Sequence, residues 1–252
     1  MAGLYYREDL PDGAIVVGGL VAVTGEEARH AVRVSRLRAG ERIAVGDGRG
    51  AVGEGVVNSA ERDSFSVRID AVRRDPEPAR RLVLAQALAK GDRDERAVEQ
   101  ATEFGVDAVA PWSAARSVSR WDGGEKAARG VAKWGRIARE ASKQSLRARI
   151  PDIREPLDLA GLCALAAREG VEALALHPRA GRRLTEWAMS ERAGIARELV
   201  VVVGPEGGFA DGELDALEAA GARTLALGET VLRTSSAGPA ALAVLNAALG
   251  RW

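Results

Sequence analysis

Glu198-Leu199-Val200-Val201-Val202-Val203-Gly204-Pro205-Glu206-Gly207-Gly208-Phe209 runs an unbroken apolar stretch straight into a glycine-rich turn. Five consecutive β-favouring residues without polar alternation read as a strand covered on both faces, the habit of a parallel sheet. Gly204-Pro205 ends that strand and opens a loop at the sheet's edge. The glycines at 204, 207 and 208 permit positive φ and leave main chain uncovered where another molecule would approach, while Pro205 stiffens the turn. Taken alone, the loop reads equally well as a ligand cradle or as a demanding strand-to-helix connection. Its neighbours decide between them.

Working outward, Asp211 can cap a helix over 212–220 with Glu213 in its first turn, and Gly221 ends that helix. A strand over 224–227 then feeds a second loop, Gly228 to Ser236, so two neighbouring strands offer two ligand loops. The last helix, capped by Ser235 or Ser236, places Ala237, Ala240, Ala241, Val244, Leu245 and Ala248 on one small-residue apolar face that permits close approach of another backbone. Upstream the same alternation continues, with strands over 82–88, 106–110 and 171–176 and helices over 92–104, 124–146 and 158–168. Strands alternating with helices predict a mostly parallel α/β sheet covered on both faces over 81–252.

The first part of the chain reads differently. Residues 1–72 are rich in glycine and short alternating runs, such as Phe65, Val67, Ile69 and Ala71 on one face, and predict a small β-rich domain. One helix interrupts it, opened by Thr24-Gly-Glu-Glu27 as a capping box and closed before Gly40. Residues 73–80, with two prolines and a charge run, predict a linker.

Composition bounds what these domains do. Lys+Arg and Asp+Glu both number 36, so a nucleic-acid partner must be held by local basic patches rather than overall charge. The single Cys163 cannot form an internal disulfide, and no apolar run approaches the roughly 20 residues of a membrane span. A cytoplasmic protein is expected. Two histidines and one cysteine give no metal-like cluster, and no G-x-G-x-x-G follows an early strand, which argues against a nicotinamide dehydrogenase.

Several stretches together resemble one family. Gly204-Pro-Glu-Gly-Gly-Phe209, Leu227-Gly228 with Val231-Leu-Arg-Thr234, Lys90, Glu103-Phe-Gly-Val106, Pro111, Arg116-Ser117 and Arg139-Glu-Ala-Ser-Lys-Gln-Ser-Leu-Arg147 are similar to the RsmE family of SPOUT RNA methyltransferases, as are His30, Val34-Ser-Arg36 and Gly46-Asp-Gly48. The likeness covers nearly the whole chain in order. It implies a PUA-like β-barrel over 1–72, a SPOUT α/β trefoil-knot domain over 81–252, S-adenosylmethionine (SAM) as cofactor, a homodimer, and N3 methylation of a uridine in 16S small-subunit ribosomal RNA, in the assembled or assembling 30S particle. Where the family usually reads Leu-Arg-Thr-Glu-Thr-Ala, this chain has Leu232-Arg-Thr-Ser-Ser-Ala237, so no acid stands there to act as a base.

The resemblance also assigns roles. The cofactor is expected among Leu176, His177, Gly204, Pro205, Glu206, Gly207, Gly208, Leu227, Gly228, Leu232, Arg233, Thr234 and Ser236. Methylating uracil N3 requires loss of its proton. Arg233 and Arg116 are candidates for steadying the resulting charge or the adjoining phosphate, and Glu206 for orienting the base or accepting the proton, against a purely structural role bonding loop amides. For RNA, Arg136, Arg139, Lys143 and Arg147 recur at helical spacing, Arg29, Arg33, Arg36 and Arg38 form a second cluster on the N-terminal helix, and Arg7 is a further candidate. Two alternatives stay open: a SPOUT enzyme acting on another ribosomal or transfer RNA nucleotide, and a noncatalytic RNA-binding ribosome-assembly factor.

Overall fold

The computed structural model describes residues 3–190 and 196–252, which divide by their contacts into two units. The first runs to Glu77 and includes Ser142–Ile150; the second comprises Pro78–Ala141 and Pro151–Trp252.

In the first unit, β1 (Leu4–Tyr6), β2 (Leu20–Thr24), β3 (Arg42–Gly46), β4 (Ala51–Glu61) and β5 (Ser64–Arg74) form one sheet in the order β1-β3-β4-β5-β2. β1 pairs parallel with β3, and every other pairing is antiparallel. Phe65, Val67 and Ile69 are buried as their alternation predicts, but Ala71 is exposed. The register explains it: Glu54 faces Ala71 while Gly55 faces Ile69, so Asp70 is a bulge residue and the alternation inverts beyond it. Helix α1 (Gly25–Arg33) adds Ala28 and Ala31 to this core. Thr24 occupies its N-cap, yet the side chain makes no capping hydrogen bond. Glu27 is drawn instead to the Tyr6 amide and to Lys143 at 3.1 Å, both side chains of that pair being nearly enclosed. The opposite face of the sheet packs Leu4, Tyr6 and Val52 against Ala148.

In the second unit β6 (Arg81–Ala87), β7 (Ala108–Trp112), β8 (Asp152–Ile153), β9 (Val171–Leu176), β10 (Glu198–Val203) and β11 (Arg223–Leu225) form an all-parallel sheet in the order β11-β9-β10-β6-β7-β8. The apolar run at 199–203 is the strand β10, between β9 and β6. Leu199, Val201 and Val203 join the core on one face with α2 (Arg93–Glu103) and α7 (Thr234–Ala248). Val200 and Val202 join the other, with α4 (Leu159–Ala166) and α6 (Glu213–Ala219). Each such side chain contributes about 1.5–3 kcal/mol by leaving water, which is why the run needs no polar alternation. The remaining helices are α3 (Gly124–Gln144) and α5 (Leu184–Ala188).

Three local expectations are corrected here. α6 has Gly212 at its N-cap with φ +83°, and Asp211 faces Arg116 instead of capping. α7 begins at Thr234 with Arg233 as its N-cap, so Ser235 and Ser236 fall inside the first turn. Its buried side is rotated from the alanine face: Gly238, Ala241, Leu242, Leu245 and Asn246 are enclosed, while Ala240 is partly exposed. Close approach depends on Gly238, where a Cβ would come within 2.7 Å of the Leu84 side chain.

Candidate active site

Because the second sheet is wholly parallel, β9, β10 and β11 all release the chain at one edge, gathering residues 177–183, 204–212 and 226–233 there. Ligands of such sheets bind outside the carboxyl ends of strands where the connection order reverses. β6 has β7 and β8 on one side and β10, β9 and β11 on the other, so the reversal lies between β6 and β10, and the carboxyl end of β10 opens into the cleft at Val203 and Gly204. The loops enclose a cleft of about 530 Å³, of a size that takes a small organic ligand.

The cleft is lined by Leu176, His177, Gly204, Pro205, Glu206, Gly208, Leu227, Gly228, Leu232, Arg233 and Thr234. Gly207 and Ser236 do not line it. Gly207 is backed against Arg116, whose Cβ would lie 3.2 Å from an added methyl, and Ser236 sits in the first turn of α7. Val231, inside the expected second loop, and Phe209, in the quoted glycine motif, also line the cleft, and Arg93 and Val203 join them without having been expected there. A Cβ at Gly204 would press on the Phe209 ring at 3.2 Å. That ring stacks on Trp112 at 5.7 Å, and Trp112 Nε1 donates to the Val203 carbonyl at 3.0 Å. The floor of the loop is thus tightly packed, and a side chain at 204 would have to shift the Phe209 ring by a few tenths of an ångström.

Polar side chains fix the loop from several directions. Glu206 Oε1 accepts from the Lys90 amide at 2.9 Å and from Arg93 at 2.5 Å. Burial pulls its carboxyl upward, but hydrogen bonds from its own amide, Arg93 and Lys90 outweigh that and hold it below the ordinary carboxylate range. The loop carrying Lys90 is itself shaped by Asp94, which accepts from the Ala89 and Glu95 amides; burial keeps that carboxyl above its ordinary range. Arg116 donates to the carbonyls of Phe209 at 2.8 Å and Gly207 at 3.3 Å, and reaches Asp211 at 3.4 Å. Its guanidinium is committed to the loop and does not line the cleft. Glu213, enclosed, accepts from the Ala210 and Ala115 amides at 2.6 and 2.8 Å, tying the 204–212 loop to the segment carrying Arg116. Thr234 Oγ1 donates to the Gly204 carbonyl at 2.7 Å. Arg233 differs from all of these: it lines the cleft, is exposed, and has no carboxylate partner among the described residues. His177 Nδ1 accepts from the Arg179 amide at 3.3 Å, a local turn contact.

The basic residues divide similarly. Arg29, Arg36 and Arg136 are exposed with no ion-pair partner among the described residues. Arg33 pairs with Asp63 at 3.1 Å, Arg139 with Glu140 at 3.1 Å, and Arg7 with Asp9 at 3.2 Å. Lys143, 9% exposed, is committed to Glu27 and lies 5.8 Å from the centre of the Tyr5 ring. Arg147 lies beyond the end of α3, where its carbonyl accepts from the Tyr6 hydroxyl at 2.5 Å. The helical spacing of basic residues therefore does not produce one continuous exposed stripe.

Comparison with known proteins agrees with this geometry. Residues 75–246 match the model of an RNA methyltransferase domain and residues 23–70 that of an RNA methyltransferase PUA domain. The ribosomal RNA small subunit methyltransferase E of Mycobacterium bovis is 40% identical over 100% of this chain and 94% of its own length, and that of Bacillus subtilis 30% identical over 89% of each. Among solved structures, a putative methyltransferase from Legionella pneumophila in complex with SAM is 28% identical with a TM-score of 0.84, each chain covered to 98%. The ribosomal RNA small subunit methyltransferase E from Neisseria gonorrhoeae bound to SAM is 25% identical, with the same TM-score and coverage. With a parallel-sheet unit, a PUA-type unit, a cleft at the strand ends and relatives matched along most of their length, this chain belongs to the ribosomal RNA small subunit methyltransferase E family.

Proposed function

We propose that the protein transfers a methyl group from SAM to N3 of a uridine in 16S small-subunit ribosomal RNA, acting as a cytoplasmic homodimer on the assembled or assembling 30S particle. The observation that carries this reading is the cleft at the ends of β9, β10 and β11, with glycine main chain at 204, 208 and 228 and a guanidinium, Arg233, that has no carboxylate partner among the described residues. The residues fit the cofactor. Leu176, Val203, Leu227 and Ala237 supply apolar surface for an adenine ring, and the glycines at 204, 208 and 228 leave the main chain along the cleft without side-chain cover. SAM, when bound, supplies a methyl group made electrophilic by its sulfonium.

The chain's own part is to orient the base and stabilise charge. Arg233 is placed to steady the negative charge that uracil acquires as it loses the N3 proton, or its neighbouring phosphate. Glu206 and Arg116 are read as loop anchors, because both are already bonded to the loop or its neighbour. With Glu206 held as a carboxylate of depressed basicity, positioning supplies much of the rate. Arg29 and Arg36, exposed and without an ion-pair partner among the described residues, are the foremost candidates for phosphate contact on the N-terminal unit.

The test is mass spectrometry of small-subunit ribosomal RNA from cells lacking the protein. One methyl on uracil is expected to disappear, to return with the wild-type chain, and not to return with Arg233→Ala. An unchanged methylation map overturns the reading.

A further inference from the structure

Gln86 is the only polar side chain between Leu82 and Ala87 in β6, and it is fully enclosed. Its Nε2 donates to Thr234 Oγ1 at 3.0 Å and to the Ala87 carbonyl at 3.1 Å, and Thr234 Oγ1 donates onward to the Gly204 carbonyl at 2.7 Å. The direction of this relay is forced. A hydroxyl has one hydrogen, and Thr234 spends it on a carbonyl that can only accept, so Gln86 must present its NH₂ group. The Gln86 carbonyl oxygen is consequently left buried with no hydrogen-bond partner among the described residues. An orphaned buried acceptor works against folding, and native chains seldom keep one without a reason.

We infer that Gln86 and Thr234 are positioning residues for methyl transfer. Gly204 is where β10 turns into the first cleft loop, and Thr234 is where the second cleft loop enters α7. The relay ties both to the end of β6, so the two loops keep one spacing around the ligand. Thr234 lines the cleft, yet its only hydroxyl hydrogen is already given to Gly204, so it serves the site by holding the loops rather than by donating to a ligand. Gln86 does not line the cleft and acts wholly through Thr234. This inference rests on the cofactor reading given above.

The experiment compares SAM affinity by calorimetry, steady-state kinetics and thermal unfolding for wild type, Gln86→Met, Thr234→Val and Thr234→Ser. Gln86→Met removes the orphan carbonyl along with the relay. Its unfolding temperature is expected to hold or rise while its Kd for SAM weakens about tenfold, the effect of one lost hydrogen bond on loop order. Thr234→Val is expected to raise KM for SAM more than it lowers kcat, and Thr234→Ser, which restores the hydroxyl, to return KM close to wild type. If wild type binds SAM and both Gln86→Met and Thr234→Val bind it equally well, the positioning role is overturned while the cofactor reading stands. The role is likewise overturned if Thr234→Ser fails to rescue, which would make the contact one of packing alone. A wild-type chain that does not bind SAM overturns both.

Discussion

Glu206 shows how a side chain can line a cleft in a catalytic-looking position while one of its oxygens is held by the fold. That oxygen takes both the Lys90 amide and the Arg93 guanidinium, joining the 204–212 loop to the first residue of α2 and the segment before it. Burial opposes ionisation, but those donors and its own amide prevail, so the carboxyl titrates below its ordinary value. A depressed folded-state value means that the loop is stabilised above the ordinary carboxylate range, and that this stabilisation is lost as pH falls through the depressed value. SAM affinity is therefore expected to be flat through neutral pH and to decline on the acid side. Glu206→Gln should bind SAM several-fold more weakly at neutral pH and lose the acid-side decline. Its kcat at saturating SAM and RNA should stay within several-fold of wild type, whereas removal of a general base lowers kcat by about 10²–10⁴. Titrating SAM affinity against pH and measuring kcat for the two proteins separates an anchor from a base, and a collapse of kcat would restore Glu206 to proton transfer.

At the scale of elements, α7 lies close against the sheet because Gly238 faces Leu84 without a side chain between them. Gly238→Val would drive two methyl groups into a fully buried leucine on β6, and overpacking of this kind costs about 1–3 kcal/mol, more than the helix gains by losing a glycine. Denaturant unfolding is expected to show that loss and to show part of it recovered when Leu84→Ala is added; additive effects would place the strain elsewhere. The strands around this contact were legible in the sequence because their signal is local. An apolar run ending at Gly204-Pro205 reads as a buried strand and a loop, and the residues after β9 and β11 follow by the same logic. The loop's long-range fastenings were not legible, because they join residues far apart in sequence: Glu213 to Ala115, Arg93 to Glu206, Gln86 to Thr234. One local sign did exist, a lone glutamine inside Leu82-Val-Leu-Ala-Gln-Ala-Leu88, since a polar side chain in a buried strand needs a partner. Bulges erase periodicity for a similar reason, as Asp70 does for Ala71.

For the whole molecule, charge balance makes the choice of arginines matter. With 36 basic and 36 acidic side chains there is no net field to draw RNA in, so attraction must come from cations that the chain does not neutralise itself. Lys143 is spent on Glu27, and Arg33 and Arg139 have carboxylate partners, whereas Arg29 and Arg36 stand on the N-terminal unit without one among the described residues. Arg36 also holds a left-handed backbone conformation at φ +55°, which glycine would adopt at about 1 kcal/mol lower cost. Each arginine that neutralises a phosphate contributes about 0.7–0.9 to the slope of log affinity against log salt. Arg29→Ala with Arg36→Ala is therefore expected to make that slope about 1.5 shallower for a small-subunit ribosomal RNA fragment, while SAM affinity and unfolding temperature stay at wild-type values. Replacing Lys143 should instead lower the unfolding temperature, because it strands Glu27 in a nearly closed site. A salt slope that does not move in the double arginine variant would take the N-terminal cluster out of RNA binding.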